Sequence, residues 1–168
     1  YLGIMIEAND MDSIERRLLV TAYEDIGLGN PAAVARCATA IDAAKRVGFP
    51  EARIILAVAV IDLTLSPKSK SAEHAIDAAM STLRHTSYSV PDYLRFTPVN
   101  MDDDEKYDYE RSDLWNRIQY LPDRLKNKHF YEPELTSSYE KILAQNLEKL
   151  RKVPRTSNLK ALKKQNSR

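Results

Sequence analysis

Apolar residues recur at steps of three and four through the first half of the chain, the period of amphipathic helices. Asp10 or Asp12 can cap a helix running to about Glu24, with Ile14, Leu18, Ala22 and Ile26 along one face. Gly27-Leu28-Gly29 ends it, and Asn30-Pro31 restarts the chain: Asn accepts an orphan N–H, and Pro tolerates the first helical position. The second helix carries Val34, Cys37, Ile41 and Ala44 inward, and Gly48 stops it. Pro50 opens a third, Glu51 to about Leu65, whose stretch Ile54–Ile61 is apolar on every side. Its β-branched residues also suit a buried strand, but its length and its helical starts and stops decide for a helix. Such a helix must be enclosed, by its own domain or by another subunit, and we expect Ile54–Ile61 at the centre of the fold. Ser66-Pro67 breaks it. Ser69 or Ser71 then caps a fourth helix with Ala72, Ile76, Ala79 and Leu83 as its inner stripe.

After His85 the pattern dissolves. Ser89-Val90-Pro91 and Thr97-Pro98 are extended or turn-like, because the residue before proline is pushed out of the α region. Met101–Tyr109 is acidic and tyrosine-rich, and residues 87–134 hold six of the nine tyrosines and Trp115, the sole tryptophan. These features predict a long excursion packing its aromatics onto the helical body. A last helix, about Ser137 to Lys152, places Tyr139, Ile142, Leu143, Leu147 and Leu150 on one side, and Thr156–Lys164 adds a short basic helix through Leu159 and Leu162. The prediction is an all-α fold: a core bundle over 1–86, an excursion and helix over 87–152 on the same domain, and a basic tail over 153–168.

Composition narrows the chemistry. Nucleotide sites need a glycine-rich loop whose N–H groups reach phosphate oxygens. Gly3, Gly27, Gly29 and Gly48 form no such pattern, and Lys68-Ser69, which ends like one, follows Pro67. Catalysis by this chain is therefore not expected. A net charge of +1 gives no global pull toward nucleic acid or membrane, but Arg151, Lys152, Arg155, Lys160, Lys163, Lys164 and Arg168 close the chain without an acid among them. Cys37 is the only cysteine, which suits a reducing, cytoplasmic setting, and its alanine-lined helix makes it an inert core residue. The longest apolar run, Ile54–Ile61, is far short of the roughly 20 residues that span a bilayer, so no membrane partner is expected. The opening Tyr1-Leu2-Gly3-Ile4 is already helical in pattern and reads as part of a longer protein.

Each candidate side chain has a plain reading beside a sharper one. Arg16 and Arg17 point about 100° apart on a helix. One pairing with an acid and the other solvated is the plain reading; a tie from Arg17 to Glu24 or Asp25, fixing the first two helices, is the sharper. Pro67-Lys68-Ser69 marks a helix–helix corner, proline stopping one helix and serine capping the next. Lys68 is also a candidate for a phosphate or DNA contact, since dipole and ammonium act together at a helix N-terminus. Arg151, Lys152, Arg155, Lys160, Lys163 and Lys164 form either a solvated tail or a contact for DNA or an acidic protein partner. His74, His85 and His129 lack metal-ligand spacing, and Asp102-Asp103-Asp104-Glu105 lacks the glycine of a calcium loop; no metal is expected. Seven alanines between Pro31 and Val47 allow close helix approach, mostly within the fold.

In order, the landmarks Ile6-Glu7-Ala8-Asn9-Asp10, Arg16-Arg17-Leu18-Leu19, Glu24-Asp25-Ile26-Gly27-Leu28, Val47-Gly48-Phe49-Pro50-Glu51 and Pro67-Lys68-Ser69 form a recognisable series. Val90-Pro91, Leu94-Arg95, Tyr120-Leu121-Pro122-Asp123 and Phe130-Tyr131-Glu132-Pro133 continue it. Over about residues 1–152 the chain resembles the C-terminal region of the RarA/MgsA family of replication-associated recombination AAA+ ATPases, related to the Werner-helicase-interacting protein. The resemblance implies a helical post-AAA+ oligomerisation domain, like a clamp-loader collar, that gathers subunits into a homo-tetramer. It places ATP and magnesium in an upstream ATPase core, with no cofactor here, and implies DNA and a single-strand-binding protein as partners of the whole protein at the nucleoid. Where the family often has a glycine-tyrosine stretch leading to Tyr-x-His, this chain has Asp103–Glu110, so nothing ascribed to that stretch is carried over.

Overall fold

A computed structural model describes residues 1–84 and 86–165; His85 and Arg168, named above, lie outside them. The described residues are helical, and the chain divides into two compact units. One comprises Tyr1–Ala78 and Phe130–Ala144, the other Ala79–His129 and Gln145–Arg168. This division differs from the sequence-based one. The final segment belongs to the core of the second unit instead of forming a tail.

The first unit begins with α1 (Leu2–Glu7) and α2 (Met11–Val20), the latter capped by Asp10, whose Oδ1 accepts from the Ser13 N–H at 3.1 Å. Hydrogen bonding from the Ser13 side chain and then from its backbone N–H holds the Asp10 carboxyl below the usual carboxylate range. At Thr21 the helix widens into a π segment, Thr21–Ile26. Ile14, Leu18, Ala22 and Ile26 are spaced by four, and each such step overshoots an α-helical turn by about 40°. The wider turn rotates the stripe back, so Ala22 and Ile26 both stay buried. A short 3₁₀ turn, Gly27–Gly29, leads to α3 (Pro31–Val47), capped by Asn30 through the Ala33 N–H at 3.2 Å. Gly48 closes α3, and α4 (Ala52–Leu65) returns against it.

Ala22, Ile26, Ala33, Val34, Cys37, Ile41, Ala59 and Leu63 form one buried cluster, and Ile14, Ala44, Ala52 and Leu56 a second. The alanines of α3 are small enough for the α3 and α4 backbones to approach closely. The larger side chains supply the driving force, about 1.5–3 kcal/mol for each Ile or Leu taken fully out of water. Cys37 lies in this core, where burial pushes its thiol pKa up and keeps it unreactive.

Helices α5 (Ser71–Arg84) and α6 (Ser138–Arg151) start in the first unit. Their predicted inner stripes are inner only in part: Ala79 of α5 and Leu143 and Leu147 of α6 are partly buried. Ile76, Met80 and Leu83 of α5 are exposed, as are Tyr139, Ile142 and Leu150 of α6; Ser71 and Glu140 are the buried positions. Hydrophobic periodicity marked the apolar face of each helix without telling what covers it.

The second unit is built from 3₁₀ turns at Asp92–Leu94, Ser112–Arg117 and Asp123–Leu125, closed by α7 (Leu159–Gln165). Leu114, Ile118, Leu159 and Leu162 make its core, with Tyr93, Leu94 and Tyr107 against them. One parallel bridge ties the chain at both ends of this unit: the Gln119 N–H donates to the Thr156 carbonyl at 3.0 Å, and the Thr156 N–H to the Arg117 carbonyl at 2.9 Å. The excursion thus builds a core of its own, and Trp115 stays partly exposed.

Candidate functional site

Helix α4 carries the most unusual surface of the first unit. Ala52, Leu56, Ala59 and Leu63 are buried, all on one side. The expectation that Ile54–Ile61 lies at the centre of the fold holds for Leu56 and Ala59 and fails on the opposite face: Ile54 is 60%, Val58 64% and Ile61 59% exposed, and Leu65 beyond them 80%. A helix with four large apolar side chains in water along one stripe is poorly served as a lone subunit. The stripe borders a shallow groove of about 490 Å³ against α3, lined by Ala40, Val58, Ala59, Ile61 and Leu65. On one flank Arg36 of α3 grips Asp62 of α4 with two parallel hydrogen bonds, Nε to Oδ2 at 2.7 Å and Nη2 to Oδ1 at 2.9 Å. Hydrogen bonding to Arg36 holds the Asp62 carboxyl below its usual range. The two residues are 26 positions apart, so no local spacing in the sequence announces the pair.

The Pro67-Lys68-Ser69 corner is a second constellation. Gly29 packs so tightly against it that a Cβ there would lie 2.3 Å from the Pro67 carbonyl oxygen, and one at Gly27 would lie 2.8 Å from that of Ser69. These glycines serve close backbone approach. Ser69 accepts the Ser71 N–H at 3.3 Å, the capping role expected of it. Its hydroxyl also donates to Glu140 Oε1 at 3.0 Å, as do Ser71 at 2.5 Å and Tyr131 at 3.3 Å. Glu140 is 0% exposed, and the hydroxyls at the start of α5 surround one of its oxygens. Burial pushes its pKa up, but hydrogen bonds from Ser71, the Glu134 backbone, Ser69 and Tyr131 outweigh it and hold the carboxyl below the usual range. The negative charge also suits the positive end of α5. A faint signal existed in the sequence: Glu140 shares the 3-then-4 spacing of the partly buried Leu143 and Leu147.

Glu24 and Asp25 are tied down, but not by Arg17. The cation is Lys70, whose Nζ lies 3.1 Å from Glu24, 3.3 Å from Asp25 and 3.1 Å from Glu73. The hydrogen bonds that Lys70 donates to Glu73 and then to Glu24 raise its pKa. Arg17 sits in the last turn of α2, whereas Lys70 stands at the corner: the Ser69 N–H donates to the Asp25 carbonyl at 3.0 Å and brings the next residue over both acids. Lys68 is exposed, with its ammonium folded back onto its own chain. Its ammonium donates to the Thr64 and Ser66 carbonyls at 3.2 and 3.3 Å, capping the C-terminal end of α4, the favourable end for a cation.

In the second unit the short basic helix expected through Leu159 and Leu162 forms, and it is docked instead of lying in a solvated tail. Leu159 and Leu162 are 3% and 2% exposed. Lys160 pairs with Asp104 at 3.2 Å and Asp102 at 3.6 Å, and Lys163 donates to the carbonyls of Asp103 and Lys106 at 3.0 and 2.8 Å. The acidic loop is therefore pinned by these lysines while the side chains of Asp102 and Asp103 stay solvent-exposed. Asp102, Asp104 and Glu105 bring carboxylates within 4.8 Å of one another, but Lys160 already balances two of them. Lys152 pairs with Glu148 at 2.7 Å; Arg151, Arg155 and Lys164 are exposed. His74 faces Glu134 at 3.5 Å, and His129 is exposed. No helix among the described residues is long and apolar enough to cross a membrane.

These observations define an all-α helical domain with an unpartnered apolar helix face. The family described as "MgsA AAA+ ATPase C terminal" matches residues 1–151, and the chain belongs to that family. Replication-associated recombination protein A of Bacillus subtilis is 49% identical over 159 residues, covering 90% of this chain and 38% of the relative. The protein of the same name in Escherichia coli K12 is 28% identical over 141 residues, covering 79% of the chain and 32% of the relative. The ATPase WRNIP1 of Dictyostelium discoideum is 32% identical over 131 residues, 73% of the chain and 15% of that protein. The chain thus spans well under half the length of these relatives.

Proposed function

We propose that this domain is the self-association element of a replication-associated recombination ATPase, and that a tetramer is its assembly. The observation that carries the reading is the exposed stripe Ile54, Val58, Ile61 and Leu65 on α4. A closed dimer needs one self-complementary patch, whereas a tetramer of two-fold symmetry needs more than one. The apolar faces of α5 and α6 supply further patches. In this reading ATP and magnesium belong to the part of the parent protein outside this chain. Tethering several ATPase cores raises their effective concentration on shared DNA. A direct DNA or acidic-protein contact through the basic C-terminal segment has less support, because Lys160 and Lys163 are engaged by the chain's own acidic loop.

Sedimentation equilibrium of the 168-residue chain tests the reading. The expected result is a mass near four chains at micromolar concentration, with Val58→Asp or Ile61→Asp shifting it toward one chain at unchanged helical circular dichroism. A single-chain mass for the parent sequence at high micromolar concentration would refute it.

A further inference from the structure

The α4 stripe has a symmetry that identifies its partner. Ile54, Val58, Ile61 and Leu65 are separated by four, three and four residues, the alternation of a helix–helix seam. The spacing is the same in both directions. Turned end over end about a point midway between Val58 and Ile61, the seam superimposes on itself: position 54 meets 65, and 58 meets 61. Both charges of the Arg36–Asp62 pair lie on one flank of the seam, and both are partly exposed. An antiparallel crossing with its two-fold axis perpendicular to α4 keeps that flank on the same side in both copies. The two Asp62 positions then stand about 7.5 Å apart along the helix axis, five residues at 1.5 Å each. An arginine side chain spans that distance.

Resting on the self-association reading, the geometry points to a specific contact: α4 pairs antiparallel with α4 of a second copy, and Arg36 and Asp62 of the two copies form one four-charge cluster that sets the register. A neutral pair of opposite charges is its own complement under a two-fold axis, as an isologous interface requires. Other registers of the same apolar seam leave the charges facing apolar surface, which disfavours them.

Charge reversal tests the cluster. R36D carries only negative charge at the flank and D62R only positive, so each variant alone should assemble about 30-fold or more weakly than the parent. An equimolar mixture of R36D and D62R places opposite charges across the axis and should recover parental affinity. Single variants that assemble as tightly as the parent, or a mixture no tighter than its components, would overturn the contact. Val58→Asp separates the two levels: if it disrupts assembly while the mixture fails, self-association stands and the Arg36–Asp62 contact falls. If Val58→Asp leaves assembly intact, the α4 interface falls with it. A second measurement does not depend on the charges. I54C mixed with L65C should form cross-linked pairs under mild oxidation; cross-linking of I54C with itself instead shows parallel helices and sinks the proposal.

Discussion

Helices α4 and α7 are opposites in sequence and exchange roles in the structure. The stretch Ile54–Ile61 of α4 is apolar around its whole circumference, yet the helix leaves Ile54, Val58, Ile61 and Leu65 in water. α7 is mostly lysine and polar residues, in a segment with no acid, yet its two leucines are among the most deeply buried side chains of the second unit. The contrast shows that composition sets how much apolar surface a helix has to hide, while its neighbours decide how much is hidden within one chain. α7 needs only Leu159 and Leu162 to dock, because Leu114 and Ile118 are already waiting and an acidic loop receives its lysines. α4 offers two apolar sides, and α3 covers one.

The sharpest way to break this contrast is to remove a core leucine from each helix. Leu162→Ala in α7 should cost about 2–5 kcal/mol, the same range as Leu56→Ala on the buried side of α4. Hydrogen exchange resolved by segment is the appropriate readout, since two units need not unfold together. Exchange at α7 should rise steeply with Leu162→Ala. If α7 exchanges freely already in the parent chain, it is a solvated tail and the contrast is wrong.

The next largest effect belongs to Glu140. Hydrogen bonds to a charged group are worth about 1.5–3 kcal/mol, so Glu140→Ala should lose stability in that range through unpaired hydroxyls at Ser69, Ser71 and Tyr131. The pH dependence has a definite sign. A carboxyl whose folded pKa is depressed binds fewer protons folded than unfolded near that pKa. Its contribution is complete above the ordinary glutamate value of about 4.3, and it declines as pH falls toward and through the folded value. The stability difference between parent and Glu140→Gln should therefore shrink on acidification below about pH 4.5. A difference that stays flat from neutral pH down to about pH 3 would mean the carboxyl is not preferentially ionised in the fold.

How much of this was legible in the residues follows from range. Asp10, Asn30 and Gly48 act on atoms within a few positions, and their roles as caps and stops could be read directly. The apolar stripes of α5 and α6 were legible as stripes, but exposure depends on partners far along the chain. Likewise, Arg36 meets Asp62 and Glu140 meets Ser69 across 26 and 71 positions. No periodicity connects such residues; only the α3–α4 packing and the glycine-tight corner do. The family resemblance was legible for the opposite reason, since it rests on short landmarks in a fixed order, and it holds over residues 1–151.

A smaller effect sharpens the two-sided character of α4. In a subunit diluted until it stands alone, Val58→Ala should change unfolding free energy by no more than about 0.5 kcal/mol, because Val58 is already in water. The same substitution should weaken association at higher concentration. A large loss in the isolated subunit would place Val58 in the intramolecular core and remove the contrast between the faces of α4.

The smallest expected effect decides between two cations. Arg17 and Lys70 are both candidates to neutralise Glu24 and Asp25, and the sequence favoured the arginine only because it is near. Arg17 is one helical stretch before these acids but points from the last turn of α2, whereas Lys70 is held over them by the Ser69–Asp25 backbone hydrogen bond. Arg17→Glu should therefore leave the urea midpoint nearly unchanged, within about 0.5 kcal/mol. Lys70→Glu should lower it by more, since four carboxylates would then meet at one corner, and added salt should reduce the difference by screening them. If the ranking is reversed, the corner is held by the arginine, and the Lys70 contacts contribute nothing to stability.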